Sequence, residues 1–295
     1  MEPWTGSFWQ KRRRGQKLLL WISFFVFLCL ICLYAGLQKM GREFLDRPLN
    51  ILVLGVDAEA EEDGFDWPRS DTMLFIALRP ETGKIGIFSI PRDSLVEIPD
   101  VGRERINIAY AHGGYALTRQ VVEDVMGMPV HRFVIVDFDG FKELVDIVGG
   151  VEITVDKRML YTDHSAGLHI DIQPGPQKLQ GEDALGYVRY RQDRLGDITR
   201  VQRQQKFLSA LAGKLRQKEM IFQFFPLLRI GRKYLETDLT FLELLALYCS
   251  TGRYNLEEDL FTATLPGEFY QVYWRLNERE INRLLEVEEM WIDEN

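Results

Sequence analysis

Leu18 to Leu37 runs for twenty residues without a charge: LLLWISFFVFLCLICLYAGL. Wound as a helix it is about 30 Å long, the thickness of a bilayer's hydrocarbon core. Lys11, Arg12, Arg13, Arg14 and Lys17 precede it; the basic residues after it, Lys39, Arg42 and Arg47, are diluted by Glu43 and Asp46. The positive-inside bias puts the N-terminus in the cytoplasm and everything after Gln38 outside. A cleaved signal peptide would have a shorter apolar region and a small-x-small site, of which Tyr34-Ala35-Gly36 is a faint version. We expect an uncleaved single-pass anchor: a cytoplasmic basic tail (1–17), a transmembrane helix (18–37), a tether (38–47) and an extracytoplasmic domain (48–295).

No second span follows. Leu239 to Cys249 is apolar but short and contains Glu243, which reads as a core helix. The remainder is one block of about 250 residues, enough for a well-buried core. The chain carries a formal net charge of -8, and without its first seventeen residues it is more acidic still. Such a domain is a poor nucleic-acid binder. Cys29 and Cys32 lie inside the apolar run and Cys249 is alone after it, so no disulfide framework is expected. The histidines have no HExxH or CxxC company. His164 and His169, with Asp163 and Asp171, read as solvated loop groups.

Strand and helix patterns alternate through the block. Short apolar runs at Asn50–Gly55, Met73–Arg79, Lys84–Ile90, His131–Phe138 and Val151–Val155 predict strands. Helical spacing predicts helices over Tyr115–Met126, Gly140–Val148, Ile198–Leu215, Phe222–Arg229, Phe241–Cys249 and Glu278–Leu285, with a further start at Gly181–Tyr187. The expected fold is α/β, an α+β mixed sheet flanked by helices.

The chemistry-bearing residues gather in loops. Asp57 follows the first strand, Arg69 and Asp71 precede the second, and Arg92 and Asp93 follow the third through Pro91. Strand-end loops are where open α/β sheets place their sites. Two carboxylates with substrate phosphate oxygens are a usual Mg²⁺ arrangement. Later come five arginines in fifteen residues: Arg189, Arg191, Arg194, Arg200 and Arg203. Guanidinium forks match phosphate oxygens with paired hydrogen bonds, so an arginine island in an acidic chain points to a held anion. Arg189 and Arg191 share a side if Val188–Arg191 is extended. Arg200, Arg203 and Gln204 share a helix face. A solvated helix start with surface ion pairs is the plainer alternative. No Walker A and no GxSxG elbow is present.

The segments Asn50–Asp57, Arg69-Ser-Asp-Thr-Met73, Ser89-Ile-Pro-Arg-Asp93, Arg105-Ile-Asn-Ile-Ala-Tyr110 with Gly113-Gly114, Val145–Val151, Tyr187-Val-Arg-Tyr-Arg191 and Asp197–Gln205 occur in an order that resembles the LytR-CpsA-Psr family. These are membrane-anchored glycopolymer transferases of bacterial envelopes. Glu59 departs from the family, which often has Arg after the first Asp. The resemblance implies transfer of a teichoic acid-like or capsular glycan from an undecaprenyl-pyrophosphate carrier to a peptidoglycan hydroxyl, releasing undecaprenyl phosphate. It implies Mg²⁺ (or Mn²⁺) on Asp57 and Asp71. Pyrophosphate would be held by Arg69, Arg92, Arg105, Arg189, Arg191, Arg200, Arg203 and Gln204, with Arg194 a bystander. Asp93 would be the base for the acceptor hydroxyl or would orient Arg92. A polyprenyl-pyrophosphate hydrolase would use the same residues, and a non-catalytic envelope regulator (a transcriptional attenuator) is the other alternative. The lipid tail needs an apolar groove, whose lining no stripe of the sequence identifies.

Overall fold

The computed structural model describes residues 47–56, 67–163, 168–190, 197–215, 217, 220, 223–250 and 258–286, together with residues 36 and 39. The apolar run apart from Gly36, and Asp57, Glu59, His164, Arg191 and Arg194, lie outside the described residues. So does the side chain of Arg200. Among the described residues no helix is long and apolar enough to cross a membrane.

In chain order the elements are β1 (Leu49–Val56), β2 (Ser70–Arg79), β3 (Lys84–Ser89), β4 (Leu95–Ile98), β5 (Gly102–Arg105), α1 (Asn107–Met126), β6 (Arg132–Asp137), α2 (Phe138–Ile147), β7 (Val151–Val155), β8 (Met159–Asp163), β9 (Leu168–Ile172), β10 (Gly175–Leu179), α3 (Gly181–Arg189), α4 (Asp197–Leu215), α5 (Phe224–Tyr234), β11 (Leu235–Thr237), α6 (Phe241–Ser250), β12 (Leu260–Thr264), β13 (Gly267–Tyr270), β14 (Tyr273–Leu276) and α7 (Glu278–Glu286).

The chain divides into two compact units. In the smaller one, 1–46 with 240–250, α6 begins at a capping box. Glu243 Oε2 accepts from the Thr240 backbone at 2.8 Å, and Thr240 Oγ1 accepts from the Glu243 backbone at 3.3 Å.

The larger unit, Arg47–Leu239 with Thr251–Asn295, is built on a mixed six-stranded sheet in the order β11-β6-β1-β2-β3-β12. β1 and β2 bury Leu52, Leu54, Met73, Phe75 and Ala77 completely or nearly so, which is why both read as continuous apolar runs. β1 is antiparallel to β2 and parallel to β6; β12 is parallel to β3. Hence the C-terminal ends of β1, β3, β6 and β12 and the N-terminal end of β2 lie at one end of the sheet. A first core packs α1 and α7 on these strands through Val121, Val122, Met126, Ile281 and Leu285. A second core gathers β7, β9, β10, α3 and α4 around Tyr187, Phe207 and Leu211. β7 shows the period of two directly: Val151, Ile153 and Val155 are buried while Glu152 and Thr154 are exposed.

Three expectations need correction. The first helix starts at Asn107, not Tyr115, because the chain kinks at Gly113–Gly114 and continues helical on both sides. Gly114 sits at φ 56°, which a side chain rarely tolerates, and that break hid the first half from a periodicity reading. His169 and Asp171 are strand residues of the β8–β9 hairpin: His169 meets Thr162 at 2.9 Å and Asp171 pairs with Arg158 at 3.0 Å. Finally, Val188 and Arg189 are helical, the end of α3, so no extended segment aligns Arg189 with Arg191.

Candidate functional site

The site end of the sheet is shaped by one irregularity. Gly55 pairs with Thr72 and Val56 with Ser70, leaving Asp71 as the extra residue of a β-bulge. A bulge bends its strand and re-aims the side chain it carries. The approach behind it is close: a Cβ on Gly55 would stand 3.1 Å from the Thr72 Cβ, so a larger residue would push Thr72 aside by a few tenths of an ångström. Val56 is also level with Asp137 of β6, so the bulge at Asp71 and the start of α2 lie at the same end of the sheet.

From Asp71 a chain of charges crosses two loops. Arg92 donates from Nη1 to Asp71 Oδ1. Asp93 Oδ2 lies 3.8 Å from Arg92 Nε, and Asp93 Oδ1 lies 3.6 Å from Arg105 Nε. All four side chains are only a quarter to a third exposed. Their backbones are fixed independently. Pro91 O accepts from Ser94 N at 2.9 Å, Ser94 O from Ile106 N at 2.8 Å and Arg92 O from Asn107 N at 3.3 Å. Like charges never stand adjacent along the line, which runs Asp71, Arg92, Asp93, Arg105. The two guanidinium groups are thereby held in place at the sheet end, each against a carboxylate.

The second group comes from α3 and α4. Gln204 is buried and reaches from α4 to Thr72 Oγ1 at 3.5 Å and to the Val188 carbonyl at 3.3 Å, next to Asp71. Arg203 is 4 % exposed. It donates to the Tyr190 carbonyl, and its guanidinium carbon lies 5.2 Å from the Tyr190 ring centre. Arg189 places its guanidinium 4.3 Å from the ring centre of Phe138, the first residue of α2 and therefore at the same sheet end. Arg69 stands immediately before β2. The structure thus brings Asp71, Arg92, Asp93 and Arg105 into one line and sets Gln204 beside it, with Arg189 at the same end. Among the described residues no three His, Cys, Asp or Glu side chains form a metal cluster.

The sequence profile of the LytR-CpsA-Psr family matches residues 39–289. The chain belongs to this family. Among its relatives is a polyisoprenyl-teichoic acid–peptidoglycan teichoic acid transferase, TagU, of Oceanobacillus iheyensis. It is 33% identical over 247 residues, covering 80% of this chain and 73% of the relative. The transferase of the same description from Enterococcus faecalis is 29% identical over 80% of this chain and 77% of its own length. The crystal structure of Bacillus subtilis TagV superposes with a TM-score of 0.71 at 26% identity, covering 83% of this chain and 97% of that one. The structure of TagT bound to LIIa-WTA does so with 0.67 at 26% identity, covering 84% and 92%.

Within this LytR-CpsA-Psr domain, three participants escaped the sequence reading. Thr72 receives Gln204, Tyr190 receives Arg203, and Trp274 donates its backbone N–H to the Asp93 carbonyl at 2.8 Å. Thr72 and Tyr190 lie inside the family's motifs, Thr72 after Asp71 and Tyr190 between Arg189 and Arg191. Nothing local in β14 announces Trp274; its role exists only through long-range pairing. Arg79 is the instructive contrast. Equally buried, it binds Asn50 Oδ1 at 2.9 Å at the far end of β2 and is a structural cation.

Proposed function

We propose that this chain carries the activity named for its relatives: transfer of a teichoic-acid-type glycopolymer from a polyprenyl-pyrophosphate carrier to a peptidoglycan hydroxyl. The observation that carries the reading is the alternating Asp71–Arg92–Asp93–Arg105 line at the sheet end, in a chain one third identical to such a transferase over most of its length. The acceptor hydroxyl gives up its proton to water as its oxygen bonds to the glycan-side phosphorus, the bridging P–O bond to the carrier breaks, and polyprenyl phosphate leaves as an anion. The leaving group needs charge stabilisation more than a proton, and arginines aimed at the phosphates supply it.

Arg92, Arg105, Arg189 and Arg203 hold the pyrophosphate, with Arg69, Arg191 and Arg200 assigned to it by sequence position. Gln204 fixes α4 to β2. Asp93 engages two guanidinium groups, which favours a positioning role over that of a base. Asp57 and Asp71 are the residues to hold Mg²⁺, since Asp57 follows β1 directly in sequence, Asp71 sits on the bulge, and Mg²⁺ needs few protein ligands beside phosphate oxygens. The ion would neutralise pyrophosphate charge. The apolar run and the basic residues before it support a single-pass membrane protein with its catalytic domain outside.

The test uses the full chain in proteoliposomes with Mg²⁺, a lipid-linked glycopolymer and peptidoglycan. Polyprenyl phosphate should be released as the glycan appears on peptidoglycan, and Asp71→Ala and Arg189→Ala should abolish both. Release without peptidoglycan labelling would make the protein a hydrolase.

A further inference from the structure

The β13–β14 hairpin carries an apolar tip that the site does not use. Phe269 is 62 % exposed, Tyr270 47 % and Val272 62 %, three large side chains within four residues around Gln271, whose φ is 57°. Large exposed apolar side chains clustered at one place mark an interaction surface. The hairpin behind them is firmly held. Trp274 packs edge-on against Phe269 with centroids 5.0 Å apart and donates from Nε1 to the Leu265 carbonyl at 3.3 Å. The same residue bonds the Asp93 carbonyl and forms a bridge with Ser94. Arg105 lies 5.5 Å from the centre of the Tyr273 ring. The tip is therefore attached rigidly to the loop that bears Arg92 and Asp93.

We propose that this tip is a membrane-docking element, with Phe269, Tyr270 and Val272 seated in the headgroup region of the bilayer that anchors the chain. Two arguments select lipid as the occupant. The first is composition: aromatic side chains with a polar neighbour favour the membrane interface, and Arg275, paired with Glu268 across the hairpin, sits 5.1 Å from the Tyr270 ring centre. The second is reach. The nine residues 40–48 between helical Lys39 and β1 extend to at most about 32 Å. β1 itself is about 27 Å long and carries the site at its far end. The tether is long enough for that end, and the hairpin with it, to face the bilayer. Docking would then hold the arginines at headgroup depth, where a polyprenyl pyrophosphate presents its phosphates.

The inference rests on the single-span reading of the N-terminal run and is tested separately from it. The full chain, with Cys29, Cys32 and Cys249 replaced by Ala, is labelled with an environment-sensitive fluorophore at Val272→Cys and reconstituted into phosphatidylglycerol vesicles. A second sample carries the label at Glu81→Cys, an exposed position in the β2–β3 turn at the opposite end of the sheet. The Val272 label should shift to the blue and be quenched at least several-fold more by headgroup-region spin-labelled lipid than the Glu81 label, which stays aqueous. Equal, water-like emission from both labels overturns the proposal. A blue shift that disappears when protein is diluted at constant lipid also overturns it, in favour of a second copy as the occupant. Loss of the chain from vesicles in alkaline carbonate would instead refute the anchor.

Discussion

The two cores of the larger unit build opposite halves of the site by different means. The first core supplies the alternating line, and it does so from a sheet: Asp71 is placed by a bulge, and Arg92, Asp93 and Arg105 by loops tied through backbone hydrogen bonds. The second core supplies Arg189, Arg203 and Gln204, and it does so from helices. There the side chains themselves make the fixing contacts, to Tyr190, Val188 and Phe138. A sheet end holds its charges through main-chain geometry, so a side chain there can change without collapsing the site. A helix packed on an aromatic core holds them through side chains, so packing and function fail together.

The largest effect expected from this difference is functional. Arg92→Ala should lower transfer by about 10³-fold or more, the scale of a lost transition-state arginine, while the unfolding midpoint barely moves. A large fall in stability would show that the sheet half depends on its charges for folding. Phe207→Ala should do the reverse. Phe207 is fully buried, against Phe141 at 5.5 Å and Tyr187 at 6.5 Å, and its truncation should cost about 3 to 5 kcal/mol of stability. Because α4 carries Arg203 and Gln204, transfer should fall with it; denaturant melts alongside turnover would reveal any separation of the two.

A smaller effect belongs to the link between the halves. Gln204→Ala removes the bridge to Thr72 and Val188 and should lower turnover by about tenfold, as expected for a loss near 1.4 kcal/mol. Undiminished turnover would mean that the halves are aligned by packing alone.

The smallest effect is confined to alkali. Burial pushes the Tyr187 hydroxyl up to about 12, helped by Asp156 and opposed by Arg203, against an ordinary value of 10.0. The folded state thus holds the phenolic proton more tightly than the unfolded state. The resulting stability is intact below pH 10 and is lost as the pH rises to about 12. Tyr187→Phe should therefore lose less stability than the parent between pH 10 and 12 and behave like it at pH 8. Parallel stability curves across that range would contradict the assignment.

The helices and central strands were legible because their signals are local. β7 matched its expected limits because its alternation is bounded by Gly150 and Asp156, and α4 began within a residue of expectation because its apolar stripe is regular. β4, β5 and all the strands from β8 to β14 went unseen: they are short, and several are exposed, so pairing rather than composition defines them. Among site residues, the acids and arginines could be nominated by their loops. The partners Thr72, Tyr190 and Trp274 could not, because an uncharged residue becomes a partner only when a distant segment arrives.

By itself the sequence determined the order of the motifs, the acidic block with its arginine island and the uncharged run ahead of it. These follow from residue chemistry and spacing along a chain. Tertiary structure alone decided that Asp71 sits on a bulge, that Arg189 ends a helix over Phe138, and that an apolar hairpin is stitched to the Asp93 loop. Those facts depend on register and on closure between residues as far apart as Asp93 and Trp274, and no local preference encodes such closure.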